Sequence, residues 1–360
     1  MKVIFSGGGT LGSVTPLLAI ADHLKSLHHD AEFVWVGTEA GPERDVLAAE
    51  RMRYLPLAAG KLRRYVSFLN VIDVARLLIG FVQACRILWR EDPDACISAG
   101  AYVSVPLHLA AWWFGVPAWI HVEDIQIGFA NRLMAPFARV ITTATEQNVK
   151  KFARKKSIWL GSPMRPEFFS GNKIEAAKFF HLQAGLPTIL VIGGSAGSLR
   201  VNQIVVEAIH HLEGAAQIIH LTGRDRPQEL IRRAETGFPQ YHPYQFLTGE
   251  MKHAYAAADI VVARAGFGTL AEAAARQKTL ILIPKAGHQE INAKYLMNKE
   301  AALALDERTA TGAHLAQLIK QLLAGSGRRN ELGKKLALAL PVAKKEDIAL
   351  TFKKTIGVAM

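Results

Sequence analysis

A short apolar run that feeds a glycine turn and then a helix-like stretch occurs twice in this chain, and few folds accommodate it. The first copy is Val3-Ile4-Phe5-Ser6-Gly7-Gly8-Gly9-Thr10-Leu11-Gly12-Ser13. The second is Ile189-Leu190-Val191-Ile192-Gly193-Gly194-Ser195-Ala196-Gly197-Ser198. Each reads as the opening βα unit of a nucleotide-binding α/β domain, where glycines let backbone N–H groups approach a phosphate at a helix N-terminus. Two such openings in 360 residues predict two Rossmann-like domains of ordinary size, each with its own core.

The rest of the chain follows the same alternation. Strand-like runs at 3–6, 32–37, 54–58, 95–98, 118–121, 140–143 and 157–160 alternate with helix-like stretches at 16–27, 41–51, 71–90 and 103–113. Gly161-Ser162-Pro163-Met164-Arg165-Pro166 reads as a linker. The alternation then restarts, with strands at 188–192, 216–221, 260–263 and 279–283 and helices at 200–212, 228–234, 269–276 and 291–299. Alternating β and α implies a parallel, doubly wound sheet in each half. The expected division is 1–163, 164–340, and a helical tail over 341–360.

Charge and composition narrow the partners. The formal net charge of +12 favours an anionic partner. Part of it is local, with eight basic and three acidic residues from Arg328 to Lys354. No nucleic-acid recognition module accompanies it, which argues against nucleic acid. From Ser98 to His121 no charged residue occurs, but Gly100, Pro106, Gly115 and Pro117 break the stretch into strand, helix and strand rather than a span. Cys85 and Cys96 sit in apolar surroundings and read as buried thiols of a reducing compartment. No leader segment is visible ahead of Val3.

Three segments carry chemistry. The first loop also matches G-x-G-x-x-G as Gly7, Gly9 and Gly12, with Glu39 as the acid a dinucleotide site would need. Ser13 in place of a Lys excludes a P-loop. In the second half, Ala263-Arg264-Ala265-Gly266-Phe267-Gly268-Thr269-Leu270-Ala271-Glu272 puts a strand end, a glycine turn and a helix N-terminus in series. The free amides there and Thr269 can accept a diphosphate, and Glu272, one turn in, can take two hydrogen bonds from ribose hydroxyls. Pro284-Lys285-Ala286-Gly287-His288-Gln289-Glu290-Ile291-Asn292-Ala293 follows, with groups suited to sugar hydroxyls. No D-x-D-type metal site is evident, and the adjacent His28-His29 and His210-His211 point apart, so no metal or other cofactor is expected.

In joint order and spacing the chain resembles the MurG glycosyltransferase family over its whole length. The motifs are Gly8-Gly9-Thr10, Gly60-Lys61-Leu62-Arg63-Arg64, Gly100-Ala101-Tyr102-Val103-Ser104, His121 to Asn131, Gly161-Ser162-Pro163-Met164-Arg165, Gly193-Gly194-Ser195, Arg264-Ala265-Gly266 to Glu272, and His288-Gln289 with Asn292-Ala293. The resemblance implies a GT-B fold: two Rossmann-like parallel-sheet domains facing a central cleft, with the C-terminal helix returning to the first. It implies metal-independent, inverting transfer of GlcNAc from UDP-GlcNAc to an undecaprenyl-diphosphate-linked acceptor, lipid I, to give lipid II of peptidoglycan. Glu272 would then hold the ribose, Gly266 to Thr269 would face the phosphates, and Ser195 and Arg165 would also contact phosphate. The backbone of Leu247, beside Phe246 and Met251, would pair with uracil, and His288 and Gln289 would read the sugar.

The acceptor diphosphate would lie against the first-domain loops, with Thr10, Gly12, Tyr102 and Asn131 around it. Departures from the family cluster there: Ser13 stands where a His is usual, Leu11 and Ala101 replace glycines, and Val122 replaces a Glu. Ser13 lacks an imidazole's basicity, so Glu123 or Asp124 becomes the candidate base. The lipid-linked acceptor that the resemblance implies would put the chain peripherally at the cytoplasmic face of the plasma membrane, and the mixture of Lys61, Arg63, Arg64, Arg76 and Arg86 with Phe68, Leu69, Ile72, Leu77, Leu78 and Phe81 suits an interfacial surface on anionic lipid. Three other readings stay open: a GT-B enzyme with another acceptor, a UDP-GlcNAc 2-epimerase-like isomerase, and a UDP-sugar-binding homologue without turnover.

Overall fold

In the computed structural model we describe residues 1–60, 69–153, 156–194, 197–224 and 226–358, and of 69–74 only the backbone. The chain forms two compact units, Met1–Arg165 with Ala343–Met360, and Pro166–Val342. Each unit is built on one sheet.

The first sheet contains β1 (Lys2–Ser6), β2 (Glu32–Gly37), β3 (Arg53–Pro56), β4 (Ala95–Ser98), β5 (Ala118–Val122), β6 (Val140–Thr143) and β7 (Ser157–Trp159). Its order is β3-β2-β1-β4-β5-β6-β7, and every pairing is parallel. The second contains β8 (Thr188–Ile192), β9 (Gln217–Leu221), β10 (Tyr241–Tyr244), β11 (Ile260–Ala263), β12 (Thr279–Leu282) and β13 (Leu303–Ala304), in the order β10-β9-β8-β11-β12-β13, again all parallel. The inner strands are apolar on both faces because helices cover both, the expected pattern for parallel sheets. The two sheets reverse their strand order beside β1 and beside β8. At such switch points the loops leaving the strands diverge and leave room for a ligand. The two glycine loops therefore stand where an α/β fold opens.

The core of unit 1 joins Phe5, Leu17, Ile20, Trp35, Ile97 and Trp119 to Ile348 and Phe352 of the last helix, Lys345–Ile356. That helix packs on the helix Thr15–Leu27, and the amide of Ala343 donates to the Ser162 carbonyl at 2.9 Å. The chain thus returns to its first unit through ordinary apolar burial. The uncharged stretch after Ser98 is broken as its prolines and glycines predict: β4, the helix Ser104–Trp113, then β5. Among the described residues no helix is long and apolar enough to cross a membrane.

Candidate active site

In unit 2 the loops leaving β8, β9 and β10 are stitched together by backbone. Gly223 N–H donates to Gln245 O at 3.1 Å and Thr222 N–H to Tyr244 O at 2.9 Å. Gly197 has φ +69°, and a Cβ there would sit 2.7 Å from Gly223 Cα, so this crossing admits only glycine. Ser198 caps the helix Leu199–Leu212 through Val201 N–H and accepts a hydrogen bond from Arg264 at 2.7 Å. Arg264 is itself paired with Glu307 at 2.6 Å. Ser195 lies outside the described residues.

The turn after β11 is built to leave its amides open. Ala265 takes φ +62°, and Gly266 caps the helix Phe267–Ala275 with no side-chain cap. The first-turn N–H groups of a helix have no intrahelical partner. A Cβ added at Gly266 or Gly268 would meet nothing within 4 Å, so this face is unobstructed within the unit. Glu272 lies one turn in. Burial pushes its carboxyl up to about 7, and the Tyr255 hydroxyl beside it acts the other way. Asn292, fully buried, donates to Ala265 O at 3.0 Å, and its Oδ1 has no partner among the described residues.

Leu247 is buried after β10, and Phe246 beside it carries the Arg224 guanidinium 4.5 Å over its ring. His288 is exposed at the start of the helix His288–Asn298. Gln289 accepts from Lys285 N–H at 3.0 Å. Gly266, Thr269, Glu272, Leu247, His288 and Gln289 thus all lie on loops or helix starts beyond the C-terminal ends of β10, β11 and β12.

Unit 1 places its candidates on the corresponding edge, after β1, β4 and β5. Thr10 and Gly12 are exposed on the turn that includes Leu11–Ser13. Ser13 is committed to the loop: its hydroxyl accepts from Gly8 N–H at 3.1 Å and donates to Thr10 O at 3.3 Å. The Tyr102 ring lies against Gly9, where a Cβ would approach it to 3.0 Å. Ala101 adopts φ +71°, a conformation that favours glycine. Buried Asn131 packs on Gly100 with its Oδ1 unpartnered. His121 is fully buried, holds Thr142 Oγ1 at 2.9 Å, and is pushed down to about 3 by burial, so the ring is neutral. Glu123 and Asp124 follow β5 directly and are partly exposed, with the Asp124 carbonyl accepting from Asn148 at 2.8 Å.

Two placements differ from the expectation or add to it. Arg165 is bound within unit 1 to Asp22 at 2.7 Å and Glu50 at 3.0 Å, two carboxylates that raise its affinity for the proton further. The acid that serves the first glycine loop is Glu43, while Glu39 is exposed. Glu43 accepts from Gly9 N–H at 3.0 Å and Thr38 N–H at 2.8 Å. Its only sequence signal was an acid after Gly41-Pro42, which reads as a helix-dipole partner. Lys61, Arg63, Arg64 and Phe68 lie outside the described residues, as do the side chains of Leu69 and Ile72.

Two parallel-sheet units, each with a glycine turn at its switch point, have the architecture of the two-domain GT-B glycosyltransferases. Residues 3–143 match the glycosyltransferase family 28 N-terminal domain and residues 188–349 its C-terminal domain. The UDP-N-acetylglucosamine–N-acetylmuramyl-(pentapeptide) pyrophosphoryl-undecaprenol N-acetylglucosamine transferase of Shouchella clausii is 34% identical, over 90% of this chain and 91% of its own. That of Clostridium kluyveri is 33% identical, over 89% and 91%. The crystal structure of Acinetobacter baumannii MurG shares the fold, with a TM-score of 0.75 and 24% identity over 98% of this chain and 99% of that one. The chain belongs to the MurG family of glycosyltransferases.

Proposed function

We propose that this chain transfers N-acetylglucosamine from UDP-N-acetylglucosamine to lipid I, the undecaprenyl-diphosphate-linked N-acetylmuramyl-pentapeptide, and so makes lipid II for peptidoglycan. The observation that carries the reading is the donor half. An open helix N-terminus at 266–269 and the carboxylate of Glu272 together suit a diphosphate and a ribose, with His288 and Gln289 following β12 for a sugar.

The chemistry follows from these groups. The diphosphate lies on the amides of 266–269, where the helix dipole takes up the charge that develops as UDP leaves. Glu272 accepts both ribose hydroxyls as a carboxylate. Leu247 offers its backbone to uracil, and Phe246 with Arg224 flanks it. Gln289 and His288 read the sugar. The acceptor hydroxyl, carried by unit 1, attacks the anomeric carbon from the face opposite UDP and inverts it. Asn131 and Tyr102 orient the acceptor there.

The base is Glu123 or Asp124. Ser13 has no basic partner and spends its hydroxyl on the loop, and His121 is sealed and neutral. We expect Glu123→Gln or Asp124→Asn to lower kcat at least about 100-fold while UDP affinity stays unchanged. Full transfer by both variants would reject this assignment.

Peripheral attachment to the cytoplasmic face of an anionic membrane fits the same reading. Leu78, Ile79, Val82 and Trp89 stand exposed on the helix Leu69–Glu91, together with Arg76, Arg86 and Arg90. Trp112, Trp113 and Phe114 are exposed at the end of the neighbouring helix Ser104–Trp113. Apolar exposure on this scale marks an interaction surface, and Trp beside Arg suits a lipid headgroup layer.

A further inference from the structure

We propose that Glu43 is an internal anion that closes the first glycine loop to nucleotide phosphate and fixes its shape for the acceptor, as a positioning residue. A loop of this kind binds phosphate through its backbone amides. Here two of those amides are already used. Gly9 N–H donates to Glu43 Oε2 at 3.0 Å, and Gly8 N–H donates to Ser13 Oγ at 3.1 Å.

The carboxylate is built in rather than incidental. Glu43 is fully buried, at 0% exposure. Oε1 accepts from Thr38 N–H at 2.8 Å, from the Thr38 hydroxyl, and from Tyr54 OH at 3.3 Å. No Lys or Arg forms an ion pair with it among the described residues; the partners are neutral dipoles. Burial alone would raise its proton affinity, but these hydrogen bonds outweigh it and hold the carboxyl below its ordinary range. Gly8 and Gly41 are glycines because a Cβ at either would run into this carboxylate. Trp35 completes the arrangement by donating to Gly7 O at 2.9 Å.

Two consequences follow. A second negative group brought onto Gly8 and Gly9 meets a buried carboxylate and no free amide, so this part of the loop takes no nucleotide phosphate. The turn 10–13, whose geometry Glu43 sets through Gly9, remains the part that faces a ligand. The effect on the acceptor rests on the transfer reading above. The loop closure does not.

The test combines nucleotide stoichiometry, amide exchange and kinetics on the full chain. Wild type binds one UDP per chain. In Glu43→Gln, whose amide cannot accept at both oxygens, exchange protection of Gly9 and Thr38 falls about tenfold or more. Acceptor KM rises about tenfold, kcat changes less than about threefold, and UDP Kd stays within about twofold. Formate restores part of the protection lost in Glu43→Ala. Two UDP per chain in wild type, unchanged Gly9 protection in Glu43→Gln, or a parallel loss of UDP affinity would each overturn the proposal. If wild type transfers nothing to lipid I, the transfer reading fails while the stoichiometry and exchange results still decide the loop.

Discussion

In the proposed donor site Glu272 meets two opposed demands. To hold a ribose it must be ionised, yet its surroundings favour the protonated form and push its carboxyl to about 7 from an ordinary 4.5. Because the folded-state value lies above the unfolded one, the group contributes stability below about pH 4.5 that is lost as the pH rises through about 7. Ligand binding has the opposite slope, since hydroxyl donors select the carboxylate. UDP affinity therefore rises up to about tenfold from pH 6 to pH 8, measured by calorimetry. Glu272→Gln removes that slope and weakens UDP at pH 8. It also raises the unfolding temperature at pH 8 by about 3 °C while leaving it unchanged at pH 4.5. A flat pH profile of UDP affinity in wild type would remove Glu272 from the ribose. That Glu272 stands on the helix after Gly266 is legible in the sequence, because a helix start can be read from its glycines. Asn292 was visible only as part of a motif. That its Oδ1 is buried and unpaired depends on how its helix packs beneath Ala265, and no local pattern encodes that.

Elements were legible where their period was clean. The apolar strands at the centre of both sheets stand out because parallel strands are buried on both faces. β10 was not foreseen: Tyr241-His242-Pro243-Tyr244 has no apolar run and contains a proline. It survives because it is an edge strand, whose outer side needs no ladder donor. The helix Met251–Ala257 was also missed, being seven residues of methionine, alanine, tyrosine and two polar groups that tertiary packing stabilises. The helices Leu69–Glu91 and Ser104–Trp113 were foreseen, but which of their residues face outward was not. Trp89 is 74% exposed and Trp113 72%. If these faces meet lipid, Trp89→Ser with Trp113→Ser lowers binding to anionic vesicles about tenfold or more in sedimentation, with the unfolding temperature unchanged. Equal vesicle binding by the double variant would place the membrane surface elsewhere.

At the scale of the molecule, two sheets of one topology have been given different work. Both place a glycine loop at the point where strand order reverses, and this much the sequence announced through its repeated strand-and-glycine pattern. Their difference lies in what fills the loops. Unit 2 leaves the neighbouring turn after β11, 266–269, open. Unit 1 ties Gly8 to Ser13 and Gly9 to Glu43. This asymmetry was hidden in the sequence because Glu43 reaches the loop from the far end of β2, a contact set by the pairing of β1 with β2 rather than by spacing along the chain. The same asymmetry is what we propose separates a donor unit from an acceptor unit, as transfer between two large substrates requires. The most direct measurement is transfer itself: purified chain with labelled UDP-N-acetylglucosamine and a lipid I analogue in vesicles. We predict one labelled sugar added per acceptor, with the β-configuration and stoichiometric UDP release. UDP-N-acetylglucosamine bound but never transferred, with no labelled lipid at any enzyme concentration, would contradict it.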